Sequence, residues 1–244
     1  MGENESVKVE SYFKQRQINA DYYAGADLPL YFKDNLPKDK TSNILDIGCG
    51  LGQTLSNLKA NGYTSLTGID ISDEAIKACK EKQLNVYQIN DITDFKVSDK
   101  KYDFAVMSHV LEHLDKEKVI STLKYIRTHL LKDTGKLFLM IPNAQSPTGT
   151  YWAYEDFTHN TLFTPGSIIY VLKAAGFNTV NFIDEDGFYE VKGLKKVIKK
   201  GLFSLFKLAE KIKFAAVGAT YHLPSPRIYT WELKVLAMSN VGND

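Results

Sequence analysis

One nine-residue segment near the start of the chain constrains its fold more than any other. It runs from Ile44 to Gly52 and reads I-L-D-I-G-C-G-L-G, an apolar run that ends in an acid and three glycines at every second position. A short apolar run bounded in this way predicts a buried parallel strand. Glycine is favoured where the backbone takes positive φ or approaches a ligand closely. With a helix predicted from Gln53 onward, the segment predicts a strand, a tight turn and a helix N-terminus directed at a ligand.

The chain then alternates between strand and helix patterns. Strands are predicted at 43–47, 65–69, 85–89, 102–107, 135–141, 177–183 and 228–238, and helices at 53–61, 73–82, 116–131 and 165–175. Such alternation indicates a parallel sheet covered by helices on both faces. The last two strands lack the usual helix pattern between them, which favours an antiparallel final pair. Ser72, Thr164-Pro165 and Gly176 supply start and stop signals for two of the helices.

The composition excludes several classes of protein. With 244 residues, 44% apolar and 24% charged, the chain is of ordinary globular type and can form one large α/β domain. A net charge of +1 gives no sign of a nucleic-acid binder. Cys49 falls in the glycine turn and Cys79 in a predicted helix, so we expect no disulfide and a reducing cytoplasm. The N-terminus carries no signal-peptide pattern, and no apolar run reaches the length of a membrane span.

A long connection at 142–164 interrupts the alternation. Connections of this length in compact domains are usually functional or disordered, and the many aromatic residues here argue against disorder. Its rings could stack on a substrate or could simply pack against the domain. The expected substrate-binding residues are Tyr151, Trp152 and Tyr154, together with His113 from an earlier turn.

A second irregular segment, 190–214, is basic and amphipathic. Apolar residues recur at spacings of three and four, and eight lysines face two glutamates, for a local charge of +6. Three arrangements are open. The segment could form a lid helix whose apolar face packs on the sheet domain, lie on an anionic membrane surface, or form a contact in a homodimer.

Acids follow the first three predicted strands. Asp46 ends the first strand, Asp70 the second and Asp91 comes after the third. Asp70 stands about twenty residues beyond the glycine turn, the usual offset of a carboxylate that accepts ribose hydroxyls. Each acid could instead cap a turn or a helix. Their occurrence together with the glycine turn favours a nucleotide-like cofactor site.

A fourth motif, V-L-E-H-L at 110–114, follows the fourth strand. Together with the glycine segment and the three acids, it resembles class I S-adenosylmethionine (SAM) dependent methyltransferases. The closest likeness is to small-molecule enzymes of sugar, surface-polysaccharide and quinone pathways, over roughly residues 40–185. The resemblance implies a seven-stranded, mostly parallel, doubly wound Rossmann-like sheet with an antiparallel last strand. We expect an N-terminal helical flank before this sheet and a helical insertion before its last strand.

The resemblance also implies SAM as cofactor and S-adenosylhomocysteine as product. Asp46 would orient the glycine loop or contact the methionine part, Asp70 the ribose, and Ile71 would form an apolar wall for the adenine. The carboxylate of Asp91 and the backbone amide of Ile92 would bind the adenine edge. The expected cofactor-binding residues are Asp46, Gly48, Gly50, Gly52, Asp70, Ile71, Asp91, Ile92 and Ser108.

Methyl transfer to a hydroxyl requires that its proton leave, and histidine is the commonest base near neutral pH. His159 and His109 are the candidates, and Asp156, three residues before His159, could orient or charge-stabilise that imidazole. A D-x-T-H run followed by F-T also resembles methyltransferases of surface-polysaccharide pathways. Nothing has the ligand spacing of a zinc site, so no metal is expected.

We therefore predict one methyltransferase domain over 1–244, acting on a hydroxyl of a small acceptor, with a sugar or surface-polysaccharide precursor first. It divides into a flank or lid at 1–40, a SAM-binding core at 41–185, the basic insertion at 186–225, and a final strand and tail at 226–244. A quinone-type or lipid-linked acceptor and a non-catalytic SAM-binding subunit are the alternatives. Amino-directed DNA methylation is disfavoured because no N-P-P-Y tetrad follows the fourth strand. We expect a cytoplasmic protein, with the membrane surface as the open alternative.

Overall fold

The computed structural model describes residues 12–18, 27–96 and 101–239. Within them a seven-stranded sheet has the order β3-β2-β1-β4-β5-β7-β6. The strands are β1 (Ile44–Ile47), β2 (Leu66–Asp70), β3 (Val86–Gln88), β4 (Tyr102–Ser108), β5 (Leu131–Pro142), β6 (Thr179–Ile183) and β7 (Glu232–Met238). Strands β1 to β5 pair in parallel, whereas β7 is antiparallel to both β5 and β6. The predicted sheet, including its antiparallel last strand, is confirmed.

Eight α-helices accompany the sheet in the described residues. They are α1 (Tyr12–Gln15), α2 (Leu30–Lys33), α3 (Gln53–Ala60), α4 (Asp73–Glu81), α5 (Val119–Tyr125), α6 (Gly149–Glu155), α7 (Pro165–Ala174) and α8 (Gly193–Ala216). The predicted start signals act as expected, because Ser72 Oγ accepts the Ala75 amide and Thr164 Oγ1 accepts the Ser167 amide. Gly176 ends α7 with a φ of +93°.

The core lies on both faces of the sheet. All four residues of β1 are buried, as expected for a central parallel strand covered on each side. Phe32 of α2 packs edge-on against Phe138 at 5.1 Å between ring centroids and lies beside Phe104 at 6.2 Å. The second half of the predicted flank therefore packs on the sheet. Residues 1–11 and 19–26 of that flank, and 240–244 of the predicted tail, lie outside the described residues.

The basic insertion forms α8 between β6 and β7, where the sequence predicts a helical insertion. The structure does not show the first of the three arrangements, a lid helix whose apolar face packs on the sheet domain. A lid helix would bury its aliphatic face on the sheet domain, but no residue of α8 is buried and its leucines and isoleucines face outward. Within the described residues, no helix is both long enough and apolar enough to pass through a bilayer.

Candidate functional site

The strand order reverses between the neighbouring strands β1 and β4. From β1 the chain continues to β2 on one side, and from β4 it continues to β5 on the other. In open α/β sheets, ligands bind beyond the carboxyl ends of the strands at such a switch point. Here the ends of β1, β2 and β4 bring Asp46, Asp70 and Ser108 to one edge. The predicted site residues from three separate segments thus share that edge.

The glycine loop is shaped by its own backbone and by α4. Gly48, Gly50 and Gly52 have φ values of +73°, +50° and +80°. A Cβ on Gly48 would lie 2.2 Å from Val110 Cγ2, so no larger residue fits there. The Gly50 amide donates to Asp70 Oδ2 at 2.8 Å, and Cys79 Sγ lies 3.2 Å from the Gly50 carbonyl oxygen. The loop is therefore fixed from β2 and α4 with its backbone close to the edge of the sheet.

Asp46 and Asp70 are buried beside this loop. Asp46 Oδ2 has no hydrogen-bond partner among the described residues. Burial, with a further contribution from the charge of Asp70, raises the pKa of Asp46 to about 7. Asp70 accepts the Ser72 amide at 2.8 Å, and burial raises its pKa as well. An unpartnered buried carboxylate oxygen next to open glycine backbone fits a ligand that brings hydrogen-bond donors, as the methionine and ribose parts of SAM do.

The next two strand ends fit an adenine. Ile71 follows β2 and leaves 67% of its surface exposed, which suits an apolar wall. Asp91 Oδ1 accepts the amide and hydroxyl of Thr93, and the hydroxyl bond lowers the pKa of Asp91. The side chain of Ile92 is buried in the core, so Ile92 can offer a ligand only its backbone. Each part of a nucleoside thus has a fitting residue at this edge.

His109 lies in a different environment from the one expected of a base. Its Nε2 is 2.9 Å from Glu232 Oε1, its Nδ1 is 3.2 Å from Glu112 Oε1, and its ring stacks on Trp231. Burial opposes the charged form, but the two carboxylates outweigh it and raise the pKa of His109 to about 10. Near neutral pH the ring is therefore an imidazolium with no free lone pair. The general-base role expected of His109 stays a prediction, and this ion pairing disfavours it.

Glu112 lies at the centre of a cluster with His113 and His159 that the sequence did not predict. The short turn Leu111–His113 directs it into the protein, where it is fully buried and its Oε2 has no partner among the described residues. His159 Nε2 lies 3.9 Å from Glu112 Oε1. The rings of His113 and His159 are 4.7 Å apart. The only sequence signal was the adjacency of Glu112 and His113 in the V-L-E-H-L turn.

The hydrogen bonds of His159 and His113 indicate which ring nitrogen donates. His159 Nδ1 lies 2.7 Å from the Trp152 carbonyl, so this nitrogen donates, and in the neutral ring the lone pair is on Nε2. His113 Nδ1 lies 3.2 Å from the Thr158 carbonyl. Glu112, His113 and His159 each offer a ligand atom within 4.8 Å of the others, so they could also hold a divalent ion. Spacing along the chain did not predict this grouping.

Asp156 does not orient His159, contrary to expectation. Its Oδ1 accepts the Thr158 amide and hydroxyl, and its Oδ2 accepts the Tyr12 hydroxyl at 2.5 Å. Burial alone would raise the pKa of Asp156, but these hydrogen bonds and Arg16 lower it to about 2. The carboxylate that faces His159 is Glu112 instead. Asp156 ties α1 to the aromatic connection.

Helix α1 contacts both the glycine loop and the cluster of Glu112, His113 and His159. The Phe13 ring lies over the glycine loop, 3.7 Å from where a Cβ on Gly50 would stand. The neighbouring Tyr12 binds Asp156 and meets the His113 ring edge-on at 6.5 Å. Consecutive residues of α1 therefore contact the glycine loop and the histidine cluster.

Aromatic rings gather beside the histidines, with Trp152 next to His159 and Trp231 next to His109. Trp152 packs on Trp231 at 5.0 Å between ring centroids. Tyr151 and Tyr154, also on α6, are exposed, as is Phe157 beyond it. Trp231, which sits just before β7, has no signal in the sequence because it joins the cluster only through the antiparallel return of the chain.

Comparison with known proteins agrees with this geometry. A family model described as "Methyltransferase domain" matches residues 14–181. Ajmaline N-methyltransferase of Rauvolfia serpentina is 32% identical over 93 residues and ubiquinone biosynthesis O-methyltransferase of Rickettsia bellii 30% over 90. Each match takes in 34% of this chain and spans only about a third of the relative, 32% and 37%.

Solved structures share the whole fold. The crystal structure of a SAM dependent methyltransferase from Archaeoglobus fulgidus has a TM-score of 0.63 and 22% identity, and the match covers 93% of this chain and 97% of that one. At this identity the likeness concerns the fold.

Proposed function

Because the chain belongs to the methyltransferase domain family and is a SAM-dependent methyltransferase, we propose that it methylates a hydroxyl oxygen of a small acceptor. The first candidate acceptor is a sugar or a surface-polysaccharide precursor. The curated relatives include both N- and O-methyltransferases, so the choice of oxygen rests on the site rather than on them. A cytoplasmic location stays a prediction.

One observation carries the choice of oxygen, namely the pairing of His159 with Glu112. The Nδ1–H of His159 is directed at the Trp152 carbonyl, so that Nε2, which lies 3.9 Å from Glu112 Oε1, is the nitrogen that would accept a proton. A neutral amine would need no such base, whereas a hydroxyl does. Bound SAM supplies the electrophilic methyl group. Transfer of that methyl group would break its bond to sulfur and leave S-adenosylhomocysteine, while His159 Nε2 would take the proton of the acceptor hydroxyl and Glu112 would stabilise the imidazolium.

The remaining residues hold and align the acceptor. In-line displacement depends on close placement of the nucleophile, which can account for most of the rate. The exposed rings of Tyr151 and Tyr154, with Trp152 behind them, support a sugar, whose C–H faces pack on aromatic surfaces. His109, already an imidazolium, would act as a positioning residue that keeps Glu112 in place.

The test is transfer of label from SAM into fractionated cell extract and then into purified nucleotide sugars. We expect label in the sugar or glycan fraction as a base-stable methyl ether, found by mass spectrometry and NMR. Label on nitrogen would contradict the choice of oxygen. Parallel reactions with EDTA, and with Mg²⁺ or Mn²⁺ restored, decide whether the cluster of Glu112, His113 and His159 works as base or as metal site.

A second candidate acceptor is a quinone-type or lipid-linked hydroxyl. The observation that favours it is the exposed aliphatic surface of α8, which would hold the enzyme where such acceptors reside. Label in the lipid fraction of the same experiment, with none in nucleotide sugars, would select this alternative.

A further inference from the structure

Helix α8 presents an aliphatic surface that nothing in the described chain covers. We call it the outer stripe, and its side chains are between 55% and 74% exposed. Its members recur every three or four residues and so share one side of the helix. They are Leu194, Val197, Ile198, Leu202, Leu205, Leu208 and Ile212. A contiguous apolar surface of this kind marks an interaction site.

The opposite side of α8 anchors it to the protein. Phe203 meets Phe188 at 5.5 Å between ring centroids, and Phe206 meets Tyr229 at 5.3 Å. At 3.6 residues per turn these phenylalanines point roughly away from the centre of the outer stripe. The helix is thus held by aromatic contacts along one side and turns its leucines away from the domain.

Lysines border the outer stripe on both edges. At the same helical pitch, Lys200 and Lys211 fall along one edge, and Lys195 and Lys213 along the other. Lys207 instead lies over the Phe203 ring, 4.5 Å from its centroid, on the anchored side. The whole helix carries seven lysines and one glutamate, a net charge of +6, on a chain whose total is +1. Long lysine stems can cover apolar surface while their ammonium groups reach phosphates at its edge.

This charge decides what covers the stripe. Two copies packed stripe to stripe would bring two helices of charge +6 together, and the repulsion would have no counter-charge within the interface. An anionic bilayer supplies both an apolar interior for the leucines and phosphates for the lysines. We propose that α8 lies parallel to an anionic membrane surface, with the outer stripe among the acyl chains and the lysines at the headgroups. The proposal goes beyond the acceptor, since a peripheral enzyme can act on either a sugar or a lipid.

The test is sedimentation of the full chain with vesicles of phosphatidylcholine alone and with vesicles of phosphatidylcholine mixed with anionic phosphatidylglycerol. We expect binding only to the anionic vesicles, weakening as salt rises because exposed charges are screened. Equal binding to both vesicles, or binding to neither, would overturn the proposal.

A pair of neighbouring substitutions separates insertion from charge alone. Leu205→Glu places a carboxylate in the outer stripe, whereas Ser204→Glu adds the same charge one residue away, at the polar edge of the stripe beside Lys200. Loss of one buried leucine should lower partitioning at least about tenfold, and the Ser204 variant only about two- to threefold. Equal losses would mean that the lysines bind without insertion of the stripe.

Two further measurements guard this result. Circular dichroism and SAM affinity should be unchanged in both variants, which shows that each is folded. Size-exclusion chromatography with light scattering should give the same mass for wild type and Leu205→Glu. A wild-type dimer that Leu205→Glu dissociates, without vesicle binding, would assign the outer stripe to a second copy and overturn the proposal.

Discussion

The cofactor half of this site and the proposed acceptor half are built in different ways. The cofactor half consists of strand ends and a glycine loop, and its key contacts, such as the Gly50 amide to Asp70, involve backbone set by the sheet. The acceptor half consists of side chains from distant segments, such as His109 and Glu232, which lie 123 residues apart. The first can be traced from local sequence, and the second depends on topology. Substitutions in the cofactor half should therefore lower cofactor affinity, whereas substitutions in the other half should lower turnover.

The largest expected effect is in the cofactor half, at Gly48. Gly48→Val introduces a Cβ 2.2 Å from Val110 Cγ2 at a φ of +73°, so loop and V-L-E-H-L turn must both shift. We expect SAM affinity to fall at least about a hundredfold, since the loop backbone would no longer approach the ligand. Isothermal titration with S-adenosylhomocysteine measures it.

Gly62→Val is the matched control for that substitution. Its φ is +88°, but a Cβ there meets nothing within 4 Å. It should cost stability through backbone strain alone and leave affinity for the cofactor intact. If both glycine variants lose affinity equally, global destabilisation rather than the loop is responsible, and the comparison between the two halves fails at its first step.

The next effect is in the acceptor half, at His159. His159→Asn removes the proposed base, and general bases contribute about 10²- to 10⁴-fold, so turnover should fall by about 10²-fold or more. SAM affinity should be unchanged, because the histidine lies on the acceptor side. The control is His129→Asn, which changes an exposed histidine in the helical turn before β5. Steady-state kinetics on the acceptor found with labelled SAM give both parameters.

Glu112→Gln sharpens the role assigned to this cluster. If Glu112 stabilises the imidazolium that forms on His159, the variant should lose turnover, because that stabilisation is absent from its transition state. The rising limb of the pH profile of kcat should also move to lower pH, because a neutral partner no longer favours the protonated form of the base. A different outcome would point to a metal site. If EDTA abolishes the activity of the wild-type enzyme and an added divalent ion restores it, Glu112, His113 and His159 are metal ligands.

A smaller effect concerns pH and stability. The pKa of His109 is about 10 in the folded protein, above the ordinary value of 6.5, because Glu112 and Glu232 favour the charged form. Its stabilising contribution is therefore fully present below about pH 6.5 and is lost as pH rises toward 10. The difference in free energy of unfolding between wild type and His109→Gln should shrink over that interval. Urea titrations at pH 6, 8 and 10 measure it, and a constant difference would contradict the paired imidazolium.

These differences explain how far the sequence could lead. Asp46, Asp70 and the glycine loop were correctly brought to one edge of the sheet because parallel strand ends must meet there. Asp156 was assigned to His159 because the two lie three residues apart, yet the connection folds so that Glu112 takes that place. Side-chain partners joined by the return of β7 or by a buried turn leave no local periodicity. Acceptor geometry consequently required the structure.

The smallest effect tests the link between the halves. Tyr12 donates a hydrogen bond to Asp156 while Phe13 lies over the glycine loop, so α1 transmits the position of the aromatic connection to the cofactor side. Tyr12→Phe removes one hydrogen bond to a charged group, worth about 1.5–3 kcal/mol at most. We expect KM for SAM and for the acceptor to rise together, by about two- to tenfold, with kcat little changed. A rise confined to one substrate would show that α1 serves only that half, and that the two halves of the site are positioned independently.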